Sequence, residues 1–217
     1  MKIQLIIIFL YLNHYIGISQ TWASDELEKA NTAANISSLT SEEKEVIKYI
    51  NLARLYPQKF AKIEVKEYLG PKKFGDYLKK STYKQSLLTT LKDKTPVGPI
   101  FFDKDMYSLA SCFANESGKK GIVGHARKSC STGYDGECCA YGNDLGRDIA
   151  IQLLIDHDVP SLGHRKICLD ASYDKVGVSI NSHKIYNSCC VVDFKRISTE
   201  PNETKEPKRK WYMLFKR

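Results

Sequence analysis

The run KVGVSINSHKIYNSCCVVDF, residues 175–194, reads as two strands and a turn. Val176, Val178 and Ile180 alternate with polar neighbours, Asn181 to Lys184 supply turn residues, and Tyr186, Cys190, Val192 and Phe194 fall at alternate places beyond. That predicts a β-hairpin closing a domain. After Phe194 the composition shifts to Pro, Glu and Lys, and Lys205, Lys208, Arg209, Lys210, Lys216 and Arg217 crowd together. Residues 195–217 are therefore expected to be a basic, flexible tail, solvated or able to touch an anionic surface.

The segments upstream of the hairpin read as helices. Thr40 with Glu43 makes a capping box, Val46, Ile47, Ile50 and Ala53 follow at helical spacing, and Pro57 closes the segment. Residues 58–100 look loop-rich, with room for one short helix. From Asp105 as N-cap, Met106, Leu109, Ala110 and Phe113 share a helix face that ends near Gly118 to Gly121. Asn143 is placed to cap a third helix with Leu145, Ile149 and Leu153 on its buried side, ended by Pro160 and Gly163. Helices in the first two thirds and a terminal hairpin make an α+β domain over residues 39–194.

At the other end, Lys2 precedes an apolar run from Ile3 to Leu12 and polar, small residues follow through Gly17 to Gln20. Residues 1–20 thus read as a cleavable signal peptide, and the run is shorter than the roughly 20 apolar residues that span a bilayer. No cysteine lies near the cleavage zone, which argues against a lipid anchor. Residues 21–38 are polar and aperiodic, a linker. Export predicts a secreted, periplasmic or otherwise extracytoplasmic protein with no transmembrane segment once mature. In that setting seven cysteines favour disulfides. Their odd number leaves one free or paired between molecules, and their connectivity cannot be read. Cys138–Cys139 and Cys189–Cys190 are neighbours that, in strands, face opposite ways. The net charge of +8 is spread among acidic residues except in the tail, so a nucleic-acid partner is not expected. Asn35, Asn115 and Asn202 begin glycosylation sequons, with Asn115 inside a predicted helix.

Three short patterns remain: Gly124-His125-Ala126, then Gly136-Glu137-Cys138-Cys139-Ala140-Tyr141-Gly142, then Asp156 through Gly163-His164-Arg165. With Asn51-Leu52-Ala53-Arg54 before Pro57, and the run from Gly163 into Tyr173 to Val178, their order and spacing resemble the CAP superfamily. That group contains cysteine-rich secretory proteins, antigen 5 and pathogenesis-related proteins, and is also called the SCP domain. The chain looks most like its short bacterial branch. The resemblance covers residues 39–194 and implies a three-layer α-β-α sandwich around a mostly antiparallel sheet.

It also implies a cleft in which two histidines and two acids converge: His125, Glu137, Asp156 and His164. Two imidazoles and a carboxylate suit Zn²⁺ with an open water position, and a second carboxylate can orient a histidine. Glu137 beside Gly136 would be a costly place for an unpaired charge. Asp156 stands where the family more often has Glu; with Asp148 and Gln152 it also fits an exposed helix stripe, and Asp158 is the other acid that could complete the set. Cys138 replaces the family's usual Asn. His157 and His183 read as solvent-exposed, and Arg165 as a structural partner of a carboxylate or of the first helix's end.

The resemblance implies a binding module for a lipid or other extracellular ligand. A hydrolase is the alternative, a protease or esterase in which Glu137 and His164 are the catalytic candidates. No G-x-S-x-G or HExxH pattern supports it, and Ser161 is the single serine near His164. An envelope or adhesion scaffold without cleft chemistry is the third reading.

Overall fold

The computed structural model describes residues 21–197, so the expected signal peptide (1–20) and all but the first three residues of the expected tail (195–217) lie outside the described residues. The chain is α+β. Helices α1 (Ser24–Ala30), α2 (Ser41–Leu55), α3 (Pro57–Phe60) and α4 (Thr82–Asp93) come first, followed by strand β1 (Phe101–Phe102) and helix α5 (Lys104–Lys120). Then come β2 (Gly136–Tyr141), α6 (Gly146–Ile155), α7 (Gly163–Leu169), β3 (Tyr173–His183) and β4 (Asn187–Arg196). The sheet order is β1-β3-β4-β2, antiparallel except for the β1–β3 pair.

The hairpin forms because alternation buries two faces at once. Cys138, Ala140, Cys190, Val192, Phe194, Val176 and Val178 point toward α2 and α6, whereas Cys139, Cys189 and Val191 pack against Ala110, Phe113 and Ala114 of α5. Each vicinal cysteine pair is therefore split between two cores, as strand geometry demands. Helix α5 lies so close to β3 that a Cβ at Gly177 would sit 2.0 Å from the Tyr107 nitrogen, which leaves glycine the only fit. The turn comes later than the sequence reading placed it: His183 pairs with Asn187, and Tyr186 is an exposed turn residue. His183 causes the shift. Its Nδ1 accepts from the Ile185 and Tyr186 amides and its Nε2 donates to the Ile122 carbonyl, so it is buried and not, as expected, solvent-exposed.

Helix α2 begins as its capping box predicts, with Glu43 Oε2 accepting from the Thr40 amide at 2.8 Å. The other oxygen of Glu43 accepts from the Ile180 amide at 2.9 Å, tying the helix start to β3.

Several segments differ from expectation. Residues 21–38 are not a linker, for Trp22 Nε1 donates to Glu64 at 2.7 Å and Ala30 and Ala33 are fully buried. A seven-residue helix burying small side chains leaves no apolar period to read. Residues 58–100 hold the 12-residue α4, capped by Ser81 and anchored by Leu87 and Leu91. Helix α5 is capped by Asp103, not Asp105. Asn143 does not cap α6; its amide donates to Gln152, and the α6 start is met by Glu42, whose carboxylate accepts from the Gly146 amide at 2.7 Å. Leu145 is exposed rather than buried. Strand β4 reaches Arg196, so the domain ends beyond residue 194.

One disulfide joins Cys112 to Cys130. Cys138, Cys139, Cys168, Cys189 and Cys190 are buried free thiols. Burial pushes Cys138, Cys139 and Cys190 well above their ordinary titration range, which keeps them protonated and unreactive. An aromatic disulfide reagent should find none of the five thiols in the native protein and all five after denaturation. A smaller count in denaturant would reveal a further disulfide.

Candidate functional site

His125 sits on a loop held at several points. The Cys112–Cys130 bridge fixes its far end, and Glu116 accepts from the Lys128 and Ser129 amides and the Ser129 hydroxyl. These contacts hold the Glu116 carboxyl far down, at about 2, led by Lys120 and the Lys128 amide. Close to the histidine, the Tyr141 hydroxyl accepts from the Gly124 amide at 3.0 Å, and Gly124 takes a left-handed φ of 86° that most residues resist.

From this loop the His125 ring reaches across β2, an edge strand, to Glu137. Nδ1 and Oε1 are 2.8 Å apart. Asp156 ends α6 in the left-handed conformation (φ 56°) and turns its carboxylate inward. Its Oδ1 is 2.7 Å from His164 Nδ1 and its Oδ2 accepts from the Arg165 amide at 3.2 Å. Asp156 is 2% exposed. That rules out the exposed-stripe reading, because the helix stops one residue before it. The two imidazoles face each other with ring centroids 6.2 Å apart.

Three of the four residues singled out from the sequence, His125, Asp156 and His164, thus line one cleft of about 400 Å³, walled also by Tyr77, Tyr141, Gln152, Leu153, His157 and Val159, while Glu137 lies behind His125 and reaches the cleft only through it. The carboxylates do not stand beside both histidines. Each serves its own, so the site is two acid–imidazole pairs. Because an ionised carboxylate only accepts, each Nδ1 carries the proton and each Nε2 lone pair is free.

Behind His125 lies a buried ionic cluster. Glu137 and Asp193 are directly paired on adjacent strands, and Arg127 bridges them: its Nε donates to Glu137 at 3.1 Å and its Nη2 contacts both carboxylates, Asp193 Oδ2 at 2.8 Å. The guanidinium lies between the Phe113 and Tyr134 rings, 4.7 and 4.5 Å from their centroids. Burial by itself would raise the Glu137 carboxyl, but the hydrogen bonds from His125 and Arg127 together hold it below its ordinary range. Burial, with Glu137 beside it, pushes Asp193 well up. Glu137 in turn raises His125 through their hydrogen bond, outweighing the ring's partial burial.

His125, Glu137 and Cys139 form a group that could hold a metal ion, their donor atoms all within 4.8 Å of one another. Cys139 Sγ is 3.8 Å from His125 Nδ1. The His125 nitrogen nearest that sulfur is the one already engaged by Glu137, and burial keeps the sulfur protonated.

Other expected roles differ. His157 is not a free surface histidine: its Nδ1 is 2.9 Å from Ser81 Oγ, and Tyr77 and Tyr83 meet it edge-on at 5.5 Å. Asp158 points away from His164, with an exposed carboxylate 3.5 Å from His157. Arg165 is structural, yet its partners are the Leu154, Ile155 and Tyr83 carbonyls and Ser86, not a side-chain carboxylate or the first helix. Cys138 is fully buried beneath His164, whose carbonyl lies 3.9 Å from its sulfur. Ser161 is exposed and does not line the cleft. The sequence reading missed Arg127 and Asp193. An aspartate between Val192 and Phe194 in an apolar strand was the available sign of a buried, paired charge.

No protein-family model matches this chain, and no curated protein matches it. Among solved structures, an outer surface protein from Borrelia burgdorferi is similar at a TM-score of 0.37 and 18% identity, over 53% of this chain and 90% of that one. A likeness so slight carries no argument about fold or role.

Proposed function

We propose that this chain is an exported, CAP/SCP-like domain whose cleft binds a divalent metal ion, Zn²⁺ foremost, and presents it to an extracellular ligand such as a lipid. The carrying observation is the pair of imidazoles, each fixed through Nδ1 by a buried carboxylate and facing the other across the cleft. His125 and His164 would hold the ion through Nε2, while Glu137 and Asp156 orient them. Two protein donors leave coordination positions for water or ligand, and a bound ion would supply Lewis acidity there. Helices on both faces of a mostly antiparallel sheet suit the sandwich that the resemblance implies. The Cys112–Cys130 bridge suits an oxidising compartment, and no described helix is long and apolar enough to cross a membrane.

Among the described residues no serine stands free beside the pairs, for Ser81 is buried and occupied by the Lys84 amide and His157, so a hydrolase here would have to activate water. A hydrolase would declare itself by peptide or ester turnover that Glu137→Gln abolishes.

Calorimetry with Zn²⁺ tests the proposal. One site is expected at pH 7.5, lost in His125→Ala and in His164→Ala, and weakened about 10- to 100-fold in Asp156→Asn. Affinity should fall as pH drops through the raised titration of His125, since a proton on Nε2 excludes metal. If Cys139→Ser removes binding while His164→Ala keeps it, the ion sits instead in the His125–Glu137–Cys139 group. No heat of binding in the unmodified chain would sink the metal reading.

A further inference from the structure

A second surface stands apart from the histidine pairs. Between the π-turn at Ala61–Val65 and α4 the chain runs KEYLGPKKFGDYLKK, residues 66–80, with a short 3₁₀ turn at Lys72–Phe74. Leu69, Phe74 and Tyr77 are among the exposed large apolar side chains, and Phe74 is 49% exposed. Leu145 faces the same segment across a groove of about 830 Å³ and is 56% exposed. Soluble surfaces rarely gather so many large apolar groups without a use for them.

Lysines are interleaved with these apolar residues along the chain, and Lys72 and Lys73 line the groove itself. Lys66, Lys72, Lys73, Lys79 and Lys80 stand against Glu67 and Asp76 within the segment. Lys73 is paired with Asp144 at 2.7 Å, and Lys66 lies 3.9 Å from Glu67 in full solvent, where such a contact is weak. Lys72, Lys79 and Lys80 are exposed and have no acidic partner among the described residues. Asp76 and, in the groove, Glu64 and Asp148 are the remaining acids; Glu64 is engaged by the Trp22 indole and Arg147, and Asp148 by the Tyr68 hydroxyl and Arg147.

We propose that residues 66–80 dock this domain on an anionic lipid surface, with Phe74 and Leu69 entering the interface and Lys72, Lys79 and Lys80 meeting lipid phosphates. Lysine ammoniums complement phosphate, and the apolar side chains between them gain nothing from a soluble polyanion, yet they lose water in the acyl boundary. Tyr77 belongs to both surfaces, since it also walls the histidine cleft. Docking therefore brings the cleft mouth to the lipid. The proposal does not depend on metal binding.

Co-sedimentation of residues 21–217 with vesicles tests it, using phosphatidylcholine alone and with one quarter phosphatidylglycerol at about 0.1 M salt. Binding is expected only with the anionic lipid. Reversing Lys72, Lys79 and Lys80 to Glu should weaken it by at least about tenfold, as each lysine contributes electrostatically at such a surface. Phe74→Ser with Leu69→Ser should weaken it severalfold at unchanged heparin affinity. These side chains are exposed, and an unchanged thermal melt verifies the fold. Phe74→Trp should show quenching by brominated lipid beyond that of the parent chain. Binding carried by the basic tail would survive every loop change and overturn the proposal. Loss on charge reversal alone, without any effect of the Phe74 and Leu69 changes or quenching, would identify a soluble polyanion and overturn it as well.

Discussion

Arg127→Met is expected to cost roughly 3–5 kcal/mol of stability, the loss seen when one partner of a buried ionic group is removed. The guanidinium is 3% exposed and carries two carboxylates that are 3% and 0% exposed. It also donates to the Leu109 and Ser131 carbonyls, at 2.9 and 3.2 Å. Methionine fills the space between Phe113 and Tyr134 but leaves Glu137 opposite Asp193, like charges on facing strand positions in a dry setting. The pair can then relax only by taking up protons, so both folded-state carboxyl titrations move above their unfolded values. A carboxyl raised in the folded state contributes stability at low pH that is lost as pH rises. The variant should therefore be more stable near pH 5 than near pH 8, and adding Glu137→Gln with Asp193→Asn should recover much of the loss. Urea denaturation at the two pH values decides it. A loss under about 1 kcal/mol, or one that grows toward acid, would contradict a buried charge cluster; the first would mean that water replaces the guanidinium.

That cluster also shows what the sequence could and could not reveal. The helix beginning at Thr40 and the hairpin after Tyr173 were legible because their periodicity is carried by large apolar side chains and their ends by local chemistry. The four candidate residues were legible as motifs, and the structure brings His125, Asp156 and His164 to one cleft with Glu137 behind His125. Their pairing was not, since it depends on Asp156 leaving the helix in a left-handed turn, a backbone choice made by Arg165 and His164 as they satisfy its carboxylate. Residues 21–38 and α4 escaped for a different reason: they bury alanines, single leucines and the stem of Lys84, whose ammonium donates to the Tyr68 carbonyl at 2.7 Å. Lysine and alanine read as surface or as nothing in particular, and only tertiary contact gives them a side. His183 and His157 were misread together. A histidine in a turn or after a helix looks exposed until the amides of its own turn, or a serine four elements earlier in the chain, take up its nitrogens.

Arg54→Met should be as damaging as Arg127→Met, with a different pH signature. The Arg54 side chain is wholly buried and meets no carboxylate at hydrogen-bond distance. Its Nε donates to the Gly98 carbonyl at 2.8 Å, Nη1 to those of Cys168 and Asp170 at 2.9 Å, and Nη2 to that of Tyr173 at 2.8 Å. One planar fork thus holds the end of α2, the chain before β1 and the α7–β3 connection, which carries His164 on its helix. Burial lowers the guanidinium titration, but an arginine keeps its charge at every working pH. Without it four carbonyls lose the guanidinium, that of Asp170 keeping another donor, the Tyr173 amide at 3.4 Å, and at about 1–3 kcal/mol for each acceptor left dry, two of the others would already remove much of a domain's usual margin of about 5–15 kcal/mol. Lysine offers a point charge in place of a fork and cannot reach carbonyls spread over three segments, so Arg54→Lys should rescue little. Because only carbonyls are orphaned, the loss should be the same at pH 5 and pH 8, where the loss in Arg127→Met changes. Hydrogen exchange gives the local readout: amides of residues 168–173 should lose protection before those of β4. If Arg54→Met stays within about 1 kcal/mol of the parent chain, water reaches these carbonyls and the fork does not hold α7 in place.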